Sequence, residues 1–277
     1  MSDWGADWTR AAFAPNSNPS FADLLKDAQP HAVPTVQGTG GQTSQAPQLP
    51  QATTILALTY ADGVVMAGDR RATEGYQIAD RYIVKVFPAD NYSAVAIAGA
   101  AGPAIDMVRL FQTELEHYEK VEGETLSLEG KANKLAQMIK QNFPMAMQGL
   151  VVVPLFAGFD VRKATGRIFR YDAVGGRYED SSYHATGSGG KDARSALRTS
   201  WYKGLPRDRA ITAAVEALTV ASEEDVATGG PDLARGIFPV VATVTGEGYE
   251  ELGDDALRPV VAEVIEKVAH TGEGTPV

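Results

Sequence analysis

The sequence predicts an α+β fold, a four-layer αββα sandwich in which two antiparallel sheets lie face to face and helices cover both outer faces. Three observations lead there: strand patterns come in blocks, helical patterns come in pairs between the blocks, and the strands are apolar on both sides. Strict alternation of strand and helix would indicate a parallel doubly wound sheet. Blocks of strands call instead for hairpins, and strands apolar on both faces need cover from both directions.

The elements follow in order. "TILALTY" from Thr54, an Asp62-Gly63 turn and "VVMAG" read as a hairpin of strongly apolar strands. Two further strands are expected near residues 82–87 and 92–98. Ile105, Val108, Phe111, Leu115 and Tyr118 then line one face of a helix, and Ala132, Leu135, Ile139 and Phe143 one face of a second. Strands return at 151–159, at 166–172 and, after a Gly175-Gly176 turn, at 177–184. Two helices follow at about 191–203 and 208–222, then strands at 238–245 and 249–252 and a last helix at about 256–269.

Ahead of this domain, at 53–277, stands a prefix of different texture. Residues 34–51, "PTVQGTGGQTSQAPQLPQ", are mostly Pro, Gly, Gln, Ser and Thr, with too little apolar surface to offset the entropy of ordering. Upstream, "SNPSFADLLKDAQP" predicts a short helix at 20–28, with Ser20 as cap and Phe21, Leu24 and Leu25 on one face. Residues 1–52 are therefore expected to be largely disordered by themselves.

At 277 residues, 44% hydrophobic and 22% charged, the chain is long enough to bury a sizeable core. Its 35 acidic against 25 basic residues give a net charge of -10, which argues against nucleic acid or an anionic membrane as partner. There is no cysteine, hence no disulfide framework and no thiolate metal site. His31, His117, His184 and His270 form no His-x-x-x-His pair, so a histidine zinc site is not expected, nor is any cofactor. Residues 1–30 hold no basic segment followed by an apolar run, and the expected location is the cytoplasm.

The boundary between prefix and first strand falls at Thr53-Thr54. Two β-branched residues there are an ordinary opening for a strand. A threonine hydroxyl is also a poor nucleophile that needs a nearby base. Were the chain cut between Ala52 and Thr53, the freed α-amino group, with a reference pKa of about 7.7–8.0, would stand beside its own side-chain oxygen and relay the proton. The prefix would then block that amine until it is removed.

Residues further along favour the second reading. "TTILALTYADGVVMAGDRRAT", "VKVF", "AIAGAAG", "ATGSGG" and "DVATGGPDLARGIFP" occur in an order and at spacings that resemble the proteasome β subunits, most closely the actinobacterial 20S type of these N-terminal-nucleophile hydrolases. The likeness runs from residue 53 to about 270, and the prefix resembles the family's removable propeptide in position and composition. It implies that Thr53 is the nucleophile and that Lys85 lowers the proton affinity of its hydroxyl. Asp69 would hold that lysine, which stands between Val84 and Val86 and needs a charged partner. Gly99 would supply a backbone N–H to the oxyanion. Ser188, Asp225 and Thr228 match the groups that hydrogen-bond the terminal amine and help hold the attacking water, with threonine at 228 where serine is common. Thr73 would pair with an extended peptide. Ala72, Ile83, Ile97 and Ala101 would surround the residue before the scissile bond, favouring cleavage after apolar or uncharged residues.

The same resemblance implies separate proteasome α subunits, stacked seven-membered rings, an ATP-dependent unfolding ring, and protein substrates marked by a small protein tag. A simpler two-ring bacterial threonine protease and a catalytically silent ring subunit are the rival readings. The long prefix and the last helix count against the first, and the Thr53, Asp69 and Lys85 set against the second. Ala52 stands where the family commonly has glycine, and its Cβ is expected to slow the tight turn needed for self-cleavage. Ser188 is no nucleophile elbow, since Thr186 occupies the first glycine position of Gly-x-Ser-x-Gly, and "GSGGKD" lacks phosphate-loop spacing.

Overall fold

The computed structural model describes residues 53–74 and 77–272. The expected helix at 20–28 and the residues of the prefix, Ala52 included, lie outside them. Twelve strands and six helices are described: β1 Thr54–Tyr60, β2 Gly63–Gly68, β3 Ala72–Glu74, β4 Gln77–Asp80, β5 Val86–Asp90, β6 Ser93–Gly99, α1 Ala101–Glu122, α2 Leu128–Gln141, α3 Phe143–Ala146, β7 Val152–Asp160, β8 Thr165–Tyr171, β9 Arg177–Asp180, β10 Tyr183–Gly187, α4 Gly190–Ser200, α5 Arg207–Glu224, β11 Val240–Thr245, β12 Gly248–Glu251 and α6 Asp254–Gly272. They form two five-stranded antiparallel sheets, ordered β10-β1-β2-β11-β12 and β5-β6-β7-β8-β9, with β3-β4 as a separate hairpin.

Period-two alternation sorts the side chains into three layers. Along β1, Leu56, Leu58 and Tyr60 face α4, α5 and α6, as do Val65 and Ala67 of β2 and Val241 of β11. On the second sheet Val95, Ile97, Phe156, Phe169 and Tyr171 point out under α1 and α2. Between the sheets lie Ile55, Ala57, Val64, Met66, Ala94, Ala96, Ala98, Leu155, Ala157, Ile168, Val240, Ala242 and Val244. The central strands β1, β2, β6 and β7 read apolar along most of their length because helices bury one face and the other sheet the opposite one. The αββα sandwich expected from the sequence is the architecture observed.

The largest departures from the sequence expectation are three. The strand expected at 82–87 begins only at Val86, because residues 82–85 lead in from the β3–β4 hairpin. That hairpin was not expected; its second strand is exposed throughout and carries no apolar pattern. The strand expected at 177–184 is two strands. Arg177–Asp180 pairs with β8, and after residues 181–182 the chain crosses to the other sheet, where Tyr183–Gly187 pairs with β1.

Candidate active site

One end of the sandwich gathers the start of β1, the ends of β2 and β10, the start of β5 and the end of β6. Register explains the meeting: Ile55 pairs with Gly68, Thr54 with Gly187, and Gly99 with Val152. Each sheet therefore delivers part of the site to the same seam.

Thr53 is buried, 6% exposed, and its carbonyl accepts from the Ser188 N–H at 2.9 Å, with the Ser188 Oγ 3.4 Å away. Asp69, directly after β2, is fully buried. Its Oδ1 accepts from Lys85 Nζ at 2.6 Å and from the Thr54 N–H at 2.8 Å. Its Oδ2 accepts from the N–H groups of Arg71 and Gly229, each at 2.9 Å. A carboxylate with this many donors is an anchor for the cation opposite it. Lys85 Nζ also donates to the Arg71 carbonyl at 2.7 Å, and the Lys85 carbonyl accepts from the Ile97 N–H, tying the lysine to β6. Burial pushes the Lys85 pKa down, Asp69 pulls it back up, and the neighbouring Arg71 charge adds to the depression; the net direction is down.

Asp225 follows α5 as its C-terminal cap. Its Oδ2 accepts from the Thr228 hydroxyl at 2.6 Å and its Oδ1 from the Ala227 N–H at 3.1 Å. Burial raises the Asp225 pKa, but hydrogen bonds from Ser188, Thr228 and the Ala227 N–H, with the Arg71 charge, outweigh it and hold the carboxyl below the usual range. Thr228 reaches Thr54 rather than Thr53: the two hydroxyl oxygens are 2.6 Å apart.

A cavity of about 370 Å³ opens beside Thr53. Lys85, Gly99, Ala72, Thr73, Ile83, Ile97 and Ala101 all line it. Gly99 has φ +109, and a Cβ there would overlap the Val151 carbonyl, so only glycine brings its backbone to this wall. Ser188, Asp225 and Thr228 are not among the lining residues; Ser188 faces a neighbouring groove with Gly99 and Gly187.

Sequence reasoning did not single out Thr54, Arg71, Gly229 or Leu150. Gly229 acts through its backbone N–H, and Arg71 through its backbone as well as its charge; backbone contacts leave no mark in side-chain chemistry, although both residues fall inside quoted motifs. Leu150 completes the cavity from the loop before β7, and nothing local distinguishes it.

The geometry joins a buried hydroxyl, a paired lysine, a backbone glycine and an apolar cavity, a set suited to acyl transfer from a peptide. Comparison with known proteins gives the same direction. A family model described as "Proteasome subunit" matches residues 50–232. A proteasome subunit beta of Acidimicrobium ferrooxidans is 57% identical over 254 residues, covering 92% of each chain. A proteasome subunit beta of Streptomyces griseus is 50% identical over 269 residues, 95% of this chain and 94% of the relative.

Proposed function

The chain belongs to the proteasome subunit family and is a threonine endopeptidase subunit of a proteasome core, and from that premise we propose that Thr53 is its nucleophile, exposed when the bond after Ala52 is cut. The observation that carries the assignment is the single cavity shared by Thr53, Lys85, Gly99 and the five residues expected to touch a peptide.

In this reading the chain is made as a zymogen that cleaves itself. The freed Thr53 amine takes the hydroxyl proton, and the Oγ attacks the scissile carbonyl. The Lys85 cation, held by Asp69, favours the alkoxide through its charge. The Gly99 N–H stabilises the oxyanion. Collapse breaks the C–N bond, the leaving amine takes the proton back, and water then releases the acyl group from Thr53 with Ser188, Asp225 and Thr228 ordering the amine. An extended substrate adds beside Thr73 on β3, and Ala72, Ile83, Ile97 and Ala101 receive the residue before the cut. None of these four is charged, so apolar or uncharged residues are favoured there. In the cell the subunit works in the cytoplasm with α subunits and other copies of itself in stacked seven-membered rings, and an ATP-dependent unfolding ring delivers substrates that carry a small protein tag.

Thr53→Ala tests this. After co-expression with α subunits, intact mass is expected to show residues 1–52 still attached, and a fluorogenic apolar peptide is expected to go uncleaved. Turnover at the parent rate would overturn the assignment.

A further inference from the structure

Thr54 is fully buried and is not among the residues that line the cavity, so nothing in the reaction as described uses its side chain. Yet its hydroxyl lies inside a chain of hydrogen bonds whose direction is fixed at both ends. At one end the Gly189 N–H, which can only donate, reaches Thr54 Oγ1 at 2.9 Å. At the other the Thr228 hydroxyl is 2.6 Å from Asp225 Oδ2, and an ionised carboxylate can only accept. Thr228 therefore spends its proton on Asp225, and the 2.6 Å contact between the two threonines must run from the Thr54 hydroxyl to the Thr228 oxygen. The backbone of the same residue holds the other half of the site: its N–H donates to Asp69 Oδ1, the oxygen that also takes Lys85, and its carbonyl accepts from the Asp69 N–H at 3.1 Å. Thr54, the first residue of β1, is thus the residue that ties the Asp69–Lys85 pair to the Asp225 group.

We propose that the Thr54 hydroxyl is a positioning group for peptide hydrolysis: by donating to the Thr228 oxygen it holds that hydroxyl against Asp225 and so keeps Asp225 and Ser188 in register with Thr53. This rests on Thr53 being the nucleophile, which Thr53→Ala tests separately. Without the Thr54 hydroxyl, the Gly189 N–H loses its acceptor and the Thr228 oxygen its donor in a buried site, and Thr228 is no longer held where its own proton reaches Asp225, so that bond weakens. Asp225 faces Ser188, Thr228, the Ala227 N–H and the Arg71 cation and acts in turn on Lys85, with Asp69 behind it. Since hydrogen bonds from Ser188 and Thr228 are among the groups that hold its carboxyl down, weakening one of them moves the acid limb of the rate profile to higher pH.

The test uses full-length chain assembled with α subunits and confirmed prefix-free by intact mass, with kcat and KM for a fluorogenic apolar peptide measured across pH. Thr54→Val removes the hydroxyl and keeps the shape. It is expected to lower kcat by about tenfold to a hundredfold, to leave KM within about twofold, and to raise the acid limb. Thr54→Ser keeps the hydroxyl and is expected to restore both. An unchanged acid limb in Thr54→Val, or a Thr54→Ser variant as impaired as Thr54→Val, would mean that Thr54 only packs. Should Thr54→Val not assemble, Thr228→Val breaks the same chain one link on and must raise the acid limb; a parental limb there overturns the proposal as well. An active Thr53→Ala particle would remove the premise and not this link.

Discussion

Lys85 is 2% exposed, and a buried ammonium is tolerated only when something opposite it carries the charge. Asp69 does so at 2.6 Å, while burial and Arg71 hold the lysine below its ordinary range. The sign of the pH effect follows. Lys85 loses its proton at a lower pH than a solvated lysine would, and if its charge is what favours the Thr53 alkoxide, the rate must fall there. The alkaline limb of kcat is expected below the ordinary lysine range, and Lys85→Ala, with the prefix supplied as a separate chain to bypass processing, is expected to lose most activity together with that limb. A rate that climbs through the limb would make the neutral amine the working form. This lysine was legible in the sequence because a cation between two valines on an apolar strand is out of place. Thr54 was not, because its hydroxyl partner is 174 residues away and a threonine opening a strand has an ordinary explanation.

At the level of elements, β10 does more than extend the first sheet. Its last residue, Gly187, has φ +99, and a Cβ there would overlap the Thr53 carbonyl. The strand thus ends on a residue without a side chain so that the Thr53 backbone can lie against it, and Ser188 and Gly189 follow to hold Thr53 and Thr54. Gly123, which caps α1 with φ +75, has nothing within 4 Å of its Cβ position. Gly187→Ala and Gly123→Ala therefore share a backbone strain of about 1 kcal/mol but differ in what the methyl meets. Gly123→Ala is expected to lower the melting temperature a little with parental peptidase activity, and Gly187→Ala to abolish most activity. Equal activities would show that the Thr53 backbone tolerates displacement. The core elements could be read from the sequence because burial on both faces leaves long apolar runs. The β3–β4 hairpin and the break between β9 and β10 could not, because exposed or half-buried strands leave no such pattern and a chain crossing between sheets changes partners without changing composition.

On the scale of the whole molecule the site belongs to neither sheet. Thr53, Asp69 and Ser188 come from the end of the first, Lys85 and Gly99 from the end of the second, so the distance between sheets sets the distance between the hydroxyl and the groups that act on it. That spacing is held by a layer rich in alanine: Ala57, Ala94, Ala96, Ala98, Ala157 and Ala242 all lie between the sheets. Face-to-face sheets interdigitate their inner side chains, so the volume of this layer sets how far apart they stand. Ala96→Leu adds volume in the middle of this layer, where Ala96 is fully buried, and is expected to cost about 1–3 kcal/mol. Ala213→Leu adds the same volume to the cluster that α4, α5 and α6 form on the outer face of the first sheet, where Ala213 is 3% exposed, at a similar cost. If inter-sheet distance governs the chemistry, the two variants, matched in melting temperature, separate in kcat: Ala96→Leu falls by about tenfold or more, since misplacement of reacting groups by a fraction of an ångström is costly, while Ala213→Leu stays near the parent. Thermal melts and peptide turnover on assembled, prefix-free particles decide it, and equal kcat values would mean that the loops at the seam, rather than the two sheets, fix the site.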